Sequence, residues 1–310
     1  TAGVSVTTAS YVINGQSGGN IRISEETRDR VWQAARDLDY HPNLAARHTR
    51  TGNSGLIGFI SDEIASTPFA VNIIRGAQQA AGESGKTLFV INTERDRHAE
   101  NQAIAALLER RVEGIVYATM YHRAIQPPQT FHKVPTVLVD CFCEDRSLPS
   151  ITPDEVQGGR LATEVLLAKG HRRIGFINVD FERHSPAAAG RLEGYRQALA
   201  AYGVPFADDL IRVGNTMADS GYTQTLDLLA LPERPTALFC GTDRMAMGAY
   251  DALKESGLRI PEDVAIVGFD NQELIAAYLR PALSTIALPH YEMGRWAVEH
   301  LLEHPHVPPE

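Results

Sequence analysis

The sequence predicts an α/β protein: two doubly wound parallel sheets preceded by a small all-α module. Three observations carry this. From residue 56 onward, short apolar runs alternate with amphipathic helical segments. The runs are rich in β-branched and aromatic residues and are apolar on both faces, as strands covered by helices on each side must be. Residues 1–55 contain no such run, only helical spacing, turns and arginines.

In the first set, strands are predicted at 56–60, 88–92, 114–118 and 136–140, and helices at 69–84 and 99–110. After a crossover at 148–153 the second set has helices at 156–169, 190–202 and 219–229, with strands at 174–179 and 210–213. The two sets share an element order without a residue-level repeat. The stretch 237–271 completes the second set as a right-handed strand–helix–strand unit. Its strands are 237–242 and 264–269, Met245, Ala249, Ala252 and Leu253 recur at helical spacing, and Gly257 stops the helix. A short extended piece at 284–289 and a helix at 291–302, apolar at Met293, Trp296, Ala297, Val298 and Leu301, return to the first set.

In open α/β sheets, ligands sit beyond the carboxyl ends of the strands. Asp270 follows one strand of the 237–271 unit and Asp243 the other. Asp270 suits a ligand rich in hydroxyl or amino donors; Asp243 suits either that role or a helix cap. Asp140 ends strand 136–140. Phe69, in the loop after the first strand, reads equally as a stacking platform and as core. Arg191 opens the helix after Ala187–Gly190, where its fork can grip vicinal hydroxyls or a carboxylate, or else pair with Glu193 or Glu164. Thr242, Asp62 and Tyr278 complete the candidates.

Composition bounds the function. The chain has 310 residues, enough for two full cores. No apolar run nears the roughly 18–20 residues that span a bilayer. Three cysteines, Cys141, Cys143 and Cys240, cannot all pair, which points to a reducing, cytoplasmic setting. The net charge is −9, yet residues 1–55 hold six Arg against five acids, so the body is acidic and the head is not. That pattern suits a local contact with nucleic acid, not a diffuse one.

Within residues 1–55, Ser5 caps a helix at 6–14 with Ala9, Val12 and Ile13 on one face. Ser24 opens a second as a capping box with Thr27 in the third position; it is expected to bury Val31, Ala34, Ala35 and Leu38. His41-Pro42-Asn43 breaks the chain, and 44–50 is a short helix or linker, joined by a flexible 51–55.

Several of these stretches resemble one family. CGTDRMAMGAYDALKESGLRIPEDVAIVGFDN, at 240–271, looks like the effector-domain signature of the lactose/galactose repressor (LacI/GalR) family of bacterial transcription regulators. AGVSVTTASYVING resembles its turn and recognition helix, ISEETRDRVWQAARDLDYHPN its third helix, and LAARHTRTG its hinge helix. The resemblance covers nearly the whole chain. It implies a partial helix-turn-helix headpiece at 1–42, hinge and linker at 43–55, and a two-lobed fold like the periplasmic sugar-binding proteins. The lobes would be 56–152, completed by 286–310, and 153–285. The headpiece's first helix is expected upstream of Ala2, and one more strand beyond Glu310.

The resemblance further implies a homodimeric repressor of operator DNA, controlled by a small effector, a sugar or sugar derivative, bound between the lobes. Arg191 in GRLEGY and Asp270 in GFDN match the family's most regular ligand contacts. The DNA-facing residues would be Ser5, Val6, Thr7, Thr8, Tyr11 and Asn14, with Asn43, Ala46, Arg47, Thr49 and Arg50 in the hinge. Early residues of a recognition helix meet base edges, and Val6 fits against a thymine methyl. Two departures stand out: Tyr11 replaces a frequent Arg, and Thr49 a frequent Leu wedge.

No enzyme constellation emerges, and no cofactor or metal is expected. Residues 80–87 fit a relaxed phosphate-loop pattern, but between a helix and a strand, the reverse of the required order; Gly85 reads as a helix C-cap. His300 and His304 fit an inverted zinc-protease spacing at a helix end with no further ligand. A sugar-binding transport protein of the same fold, and a sugar or nucleoside hydrolase, are the alternatives; the headpiece argues against the first.

Overall fold

The computed structural model describes residues 2–13, 23–40, 54–67, 70–179 and 185–305. The chain divides into two compact units, Thr1–Ser54 and Gly55–Glu310.

The first unit carries helices α1 (Val6–Ile13) and α2 (Glu25–Asp37). Both start on a serine: Ser5 Oγ accepts from Thr8 N at 3.1 Å, and Ser24 Oγ accepts from Thr27 N at 3.3 Å. Each satisfies an orphan N–H of its first turn. Thr27 does not reach back to the backbone as a capping-box Glu would; its hydroxyl meets the Ser24 hydroxyl at 2.9 Å. Val12, Val31 and Ala35 are buried, but Leu38 is 61% exposed, because α2 ends at Asp37 and Leu38 lies beyond the packed face. The hinge segment 41–53 lies outside the described residues.

In the second unit the strand runs form two parallel five-stranded sheets. The first is ordered β2-β1-β3-β4-β5, from β1 (Leu56–Ser61), β2 (Thr87–Asn92), β3 (Ile115–Ala124), β4 (Thr136–Phe142) and β5 (Ser150–Ile151). The second is ordered β10-β9-β8-β6-β7, from β6 (Ile174–Val179), β7 (Ile211–Gly214), β8 (Ala237–Cys240), β9 (Ala265–Asp270) and β10 (Ser284–Ala287). Read from β7, the second order repeats the first. In both, chain order reverses beside the first strand of the set, the crevice where α/β sheets take ligands.

Helices cover both faces of each sheet, as the continuous apolar strands require. Around the first lie α3 (Val71–Glu83) and α4 (Arg97–Glu109); around the second lie α5 (Glu155–Ala168), α6 (Pro186–Ala201), α7 (Ala218–Leu229), α8 (Asp243–Glu255) and the short α9 (Glu273–Ala276). The last helix, α10 (His290–Glu303), returns to the first lobe. Its Met293, Ala297, Val298 and Leu301 share a core with Ile57, Phe59 and Ile73. The α3–α10 crossing is close because glycines face each other there. A Cβ on Gly76 would lie 2.0 Å from Tyr291 O, and one on Gly294 would lie 1.9 Å from Ile73 O.

The pattern-derived elements match in kind and differ at their ends. α6 begins at Pro186, capped by Ser185, so Arg191 stands within the helix and does not open it. β3 continues to Ala124 beyond the apolar run, past a register shift against β4 between Ala118 and Arg123. Gly85, at φ +67°, follows α3. All three cysteines are free and buried.

The α3–α10 crossing gives a paired test. Gly76→Ala is expected to destabilise the chain by about 1–3 kcal/mol through overpacking. Gly82→Ala, on the same helix with nothing within 4 Å of the new Cβ, is expected to stabilise it by about 0.5–1 kcal/mol. Urea titration of both variants decides this; equal effects would mean that α10 does not dock there.

Candidate functional site

The carboxyl ends of both sheets open onto one cavity. The first lobe lines it with Met120, Tyr121, His122 and Asp140, and the second with Glu155, Ala187, Arg191, Thr216, Thr242, Arg244 and Asp270. Pro153, Leu288 and His290, from the crossing segments, complete it.

Asp140, on β4, and Asp270, the last residue of β9, are only 6% and 7% exposed. Both have left-handed backbone, φ +58° and +90°, a conformation costly for a non-glycine residue. Oδ1 of each is buried with no hydrogen-bond partner among the described residues, while Asp270 Oδ2 accepts from Gln272 Nε2 at 3.0 Å. Burial raises the Asp140 carboxyl well above the usual range, and the charge of Glu155 adds to the rise. Burial, then the nearby Asp243, likewise raises Asp270. Buried polar atoms are normally paired, so these two oxygens are open positions for a hydroxyl, which can donate to an ionised oxygen or accept from a protonated one.

Arg191 stands in the second lobe's wall with three of its five N–H donors in use. Its Nε and Nη2 donate to the two oxygens of Glu155 at 2.7 and 3.3 Å, and Nη1 donates to Gly241 O at 2.6 Å. The guanidinium also lies 3.8 Å over the Phe269 ring. Neither Glu193 nor Glu164 is its partner; Glu193 accepts from Gln197 and Glu164 from Arg160. The true partner is 36 residues away in sequence and is the first residue of α5.

Asp243 is not the cap of α8. Thr242, extended at φ −144°, fills that role, its Oγ1 accepting from Met245 N at 3.1 Å. The Thr242 hydroxyl then donates to Thr216 O at 3.1 Å, so it lines the cavity with its donor in use. Asp243 is fully buried and turned toward the end of β9, where it accepts from Gln272 N at 2.7 Å and from Thr285 Oγ1 at 2.6 Å. Gly268 makes room for it: a Cβ there would lie 2.2 Å from Asp243 Oδ1.

Asp62 and Tyr278 do not line this cavity. Asp62 pairs with Arg123 at 3.0 Å and accepts from Glu63 N and Met120 N, facing a separate groove between α4 and residues 123–128. Tyr278 is 69% exposed beyond α9. Phe69 lies outside the described residues. In the first unit, Val6 is 88% exposed and Thr7 is also exposed, Tyr11 is half-buried, and the Ser5 and Thr8 hydroxyls bond each other at 2.9 Å. Asn14, Asn43, Ala46, Arg47, Thr49 and Arg50 lie outside the described residues.

The sequence reading did not single out His122, Glu155, Thr216, Arg244 or His290. Stopping the third strand at residue 118 hid His122, although the strand-end rule covers the residues just after it. His300 and His304 stack on each other at 4.3 Å at the end of α10. No cluster of three or more metal-ligating side chains occurs among the described residues.

Two parallel α/β lobes with a polar cavity between their strand ends define a two-lobed small-ligand-binding protein. Residues 54–307 match the family described as periplasmic binding proteins and sugar binding domain of LacI family, and residues 1–43 match the bacterial regulatory proteins of the lacI family. The ribose operon repressor of Escherichia coli (strain K12) is 34% identical over 97% of this chain and 89% of its own length. The structure of the Lac repressor bound to ONPG in its repressed state superposes with a TM-score of 0.78 at 30% identity, covering 98% of this chain and 90% of that one. A complex of the transcriptional regulator CelR with cellobiose gives 0.68 at 28% identity, covering 98% and 90%. The chain belongs to the LacI family of bacterial transcription regulators.

Arg191→Ala strands a buried Glu155 and is expected to cost about 3–5 kcal/mol of stability. Glu155→Gln with Arg191→Met should cost less than Arg191→Ala alone. Chemical denaturation measures both; a loss below about 1 kcal/mol for Arg191→Ala would mean that the pair does not form.

Proposed function

We propose that this chain is a DNA-binding transcription repressor whose operator affinity is set by a small, uncharged sugar bound in the cavity between its lobes. One observation carries the reading: two buried carboxyl oxygens, Asp140 Oδ1 and Asp270 Oδ1, have no partner among the described residues, and their residues line the same cavity from opposite lobes. A polyol supplies hydroxyl donors to both at once. A phosphate or carboxylate ligand would meet three acids, Asp140, Glu155 and Asp270, against two guanidiniums, Arg244 and Arg191, the latter already bonded to Glu155 and Gly241. Tyr121 is the one phenol or phenyl ring among the described lining residues, beside the imidazoles of His122 and His290. The bound cellobiose of the CelR complex is consistent with a sugar.

A ligand bridging both lobes favours their closed arrangement, and so shifts operator affinity only insofar as open and closed states bind it differently. Through α1 the headpiece offers Val6 and Thr7 to base edges. We read the protein as a homodimer, since one headpiece covers a half-site. Phe89 and Val90 on edge strand β2, 41% and 38% exposed, offer apolar surface for pairing. We also read it as cytoplasmic and not an enzyme, as a regulator of genes must meet DNA; among the described residues no helix is long and apolar enough to cross a membrane.

The test is calorimetry with a panel of free pentoses, hexoses and cellobiose, followed by anisotropy of operator DNA selected from a random library. Asp140→Ala and Asp270→Ala should each weaken the tightest sugar by about 1.5–3 kcal/mol, roughly 10- to 150-fold, and that sugar should change operator affinity. No sugar binding, or wild-type affinity in both variants, would overturn the reading.

A further inference from the structure

A third unsatisfied group lines the same cavity. His122 Nδ1 is buried and has no hydrogen-bond partner among the described residues. Its placement comes from the register shift of β3 against β4, which takes residues 119–122 out of the regular ladder. Such irregularities re-aim side chains at the ends of strands. The displaced segment is pinned at its start: Thr119 Oγ1 lies 2.9 Å from Asp140 O and 3.0 Å from Tyr121 O. The imidazole packs edge-on against Phe142, centroids 5.6 Å apart at 71°. The backbone that carries His122 is therefore tied to the backbone of Asp140.

The chemistry of this group differs from that of the two acids. Burial lowers the imidazole's pKa, the charge of Glu155 working against the shift and that of Arg191 with it. The ring is thus neutral near pH 7, with one nitrogen a donor and the other an acceptor. A carboxyl oxygen carries two lone-pair directions, so even the single open oxygen of Asp270 can take a hydroxyl from more than one position. An imidazole nitrogen makes one bond, in the ring plane, in one direction. Of the three open groups, it is the one that demands a hydroxyl at one place.

We propose that His122 is a specificity-determining residue, its Nδ1 bonding a single effector hydroxyl and so selecting among sugars that the two acids would accept alike. The proposal rests on the effector reading above. His122→Phe keeps the ring against Phe142 and removes the nitrogen. His122→Asn puts an amide atom at about the reach of Nδ1.

The experiment starts from the tightest sugar in the calorimetric panel and uses its monodeoxy derivatives as probes. For the wild-type chain, removing one particular hydroxyl should weaken binding about 3- to 10-fold through a bond that His122→Phe cannot make. His122→Phe should bind that derivative and the parent sugar equally, while still discriminating at the hydroxyls held by Asp140 and Asp270. His122→Asn should restore part of the lost discrimination, which a packing role alone would not do. If both variants rank every derivative as the wild type does, His122 is not a specificity residue, although the effector reading stands. If the wild-type chain binds no sugar, the effector reading falls and this proposal falls with it.

Discussion

The second lobe is built around one guanidinium. Arg191, from α6, holds Glu155 at the start of α5, bonds the carbonyl of Gly241 after β8, and lies on the ring of Phe269 in β9. Four elements meet on that one side chain. The helices come close enough for it because small residues face it: a Cβ on Gly159 of α5 would lie 2.3 Å from Arg191 O. A buried ion pair adds little net stability, but losing one member of it is expensive. Its role here is geometric. Arg191 spends three of its N–H donors on Glu155 and Gly241, so it reaches Asp140 and Asp270 through its charge and not through a hydrogen bond. Those acids stay unpaired, and their open oxygens define what the cavity can take.

The same economy appears at the end of β9. Asp243 sits over Gly268 and ties the backbone N–H of Gln272 and the hydroxyl of Thr285 to the start of α8. Gln272 in turn donates to one oxygen of Asp270 and leaves the other free. Asp270 therefore presents one oriented acceptor, held by a buried neighbour that never faces the cavity. Asp140 is held differently, by its left-handed backbone and by the Thr119 hydroxyl at its carbonyl. The two acids are presented from separate sheets, so a ligand that bonds both must join the lobes.

Much of the fold was legible in the sequence, because doubly wound sheets leave a local signature. Runs such as Ile174–Val179 are buried at every position, and the amphipathic segments between them could only be covering helices. The order of elements follows from right-handed crossovers. Asp140 and Asp270 could be named because the strand-end rule depends only on where a strand stops. What failed depended on lateral partners. Periodicity cannot say that Arg191 meets Glu155 rather than Glu164, since the pairing is made by the α5–α6 contact. Asp243 and Thr242 are adjacent and both suit a cap; the choice turned on the room left by Gly268, 25 positions away. Tyr278, a candidate in the sequence, follows α9 on the surface. His122 went unmentioned because a strand that continues past its apolar run, through a register shift, has no mark in the hydrophobic pattern.

Asp140 Oδ1 and Asp270 Oδ1 are, on the proposed function, the polar jaws of one sugar site. A crystal structure of the chain with its tightest-binding sugar tests this most directly. Sugar hydroxyls are expected within about 2.5–3.0 Å of both oxygens, with the Arg191–Glu155 pair unchanged. A sugar held by the Arg191 guanidinium, released from Glu155, or seated outside the cavity lined by both acids would contradict it.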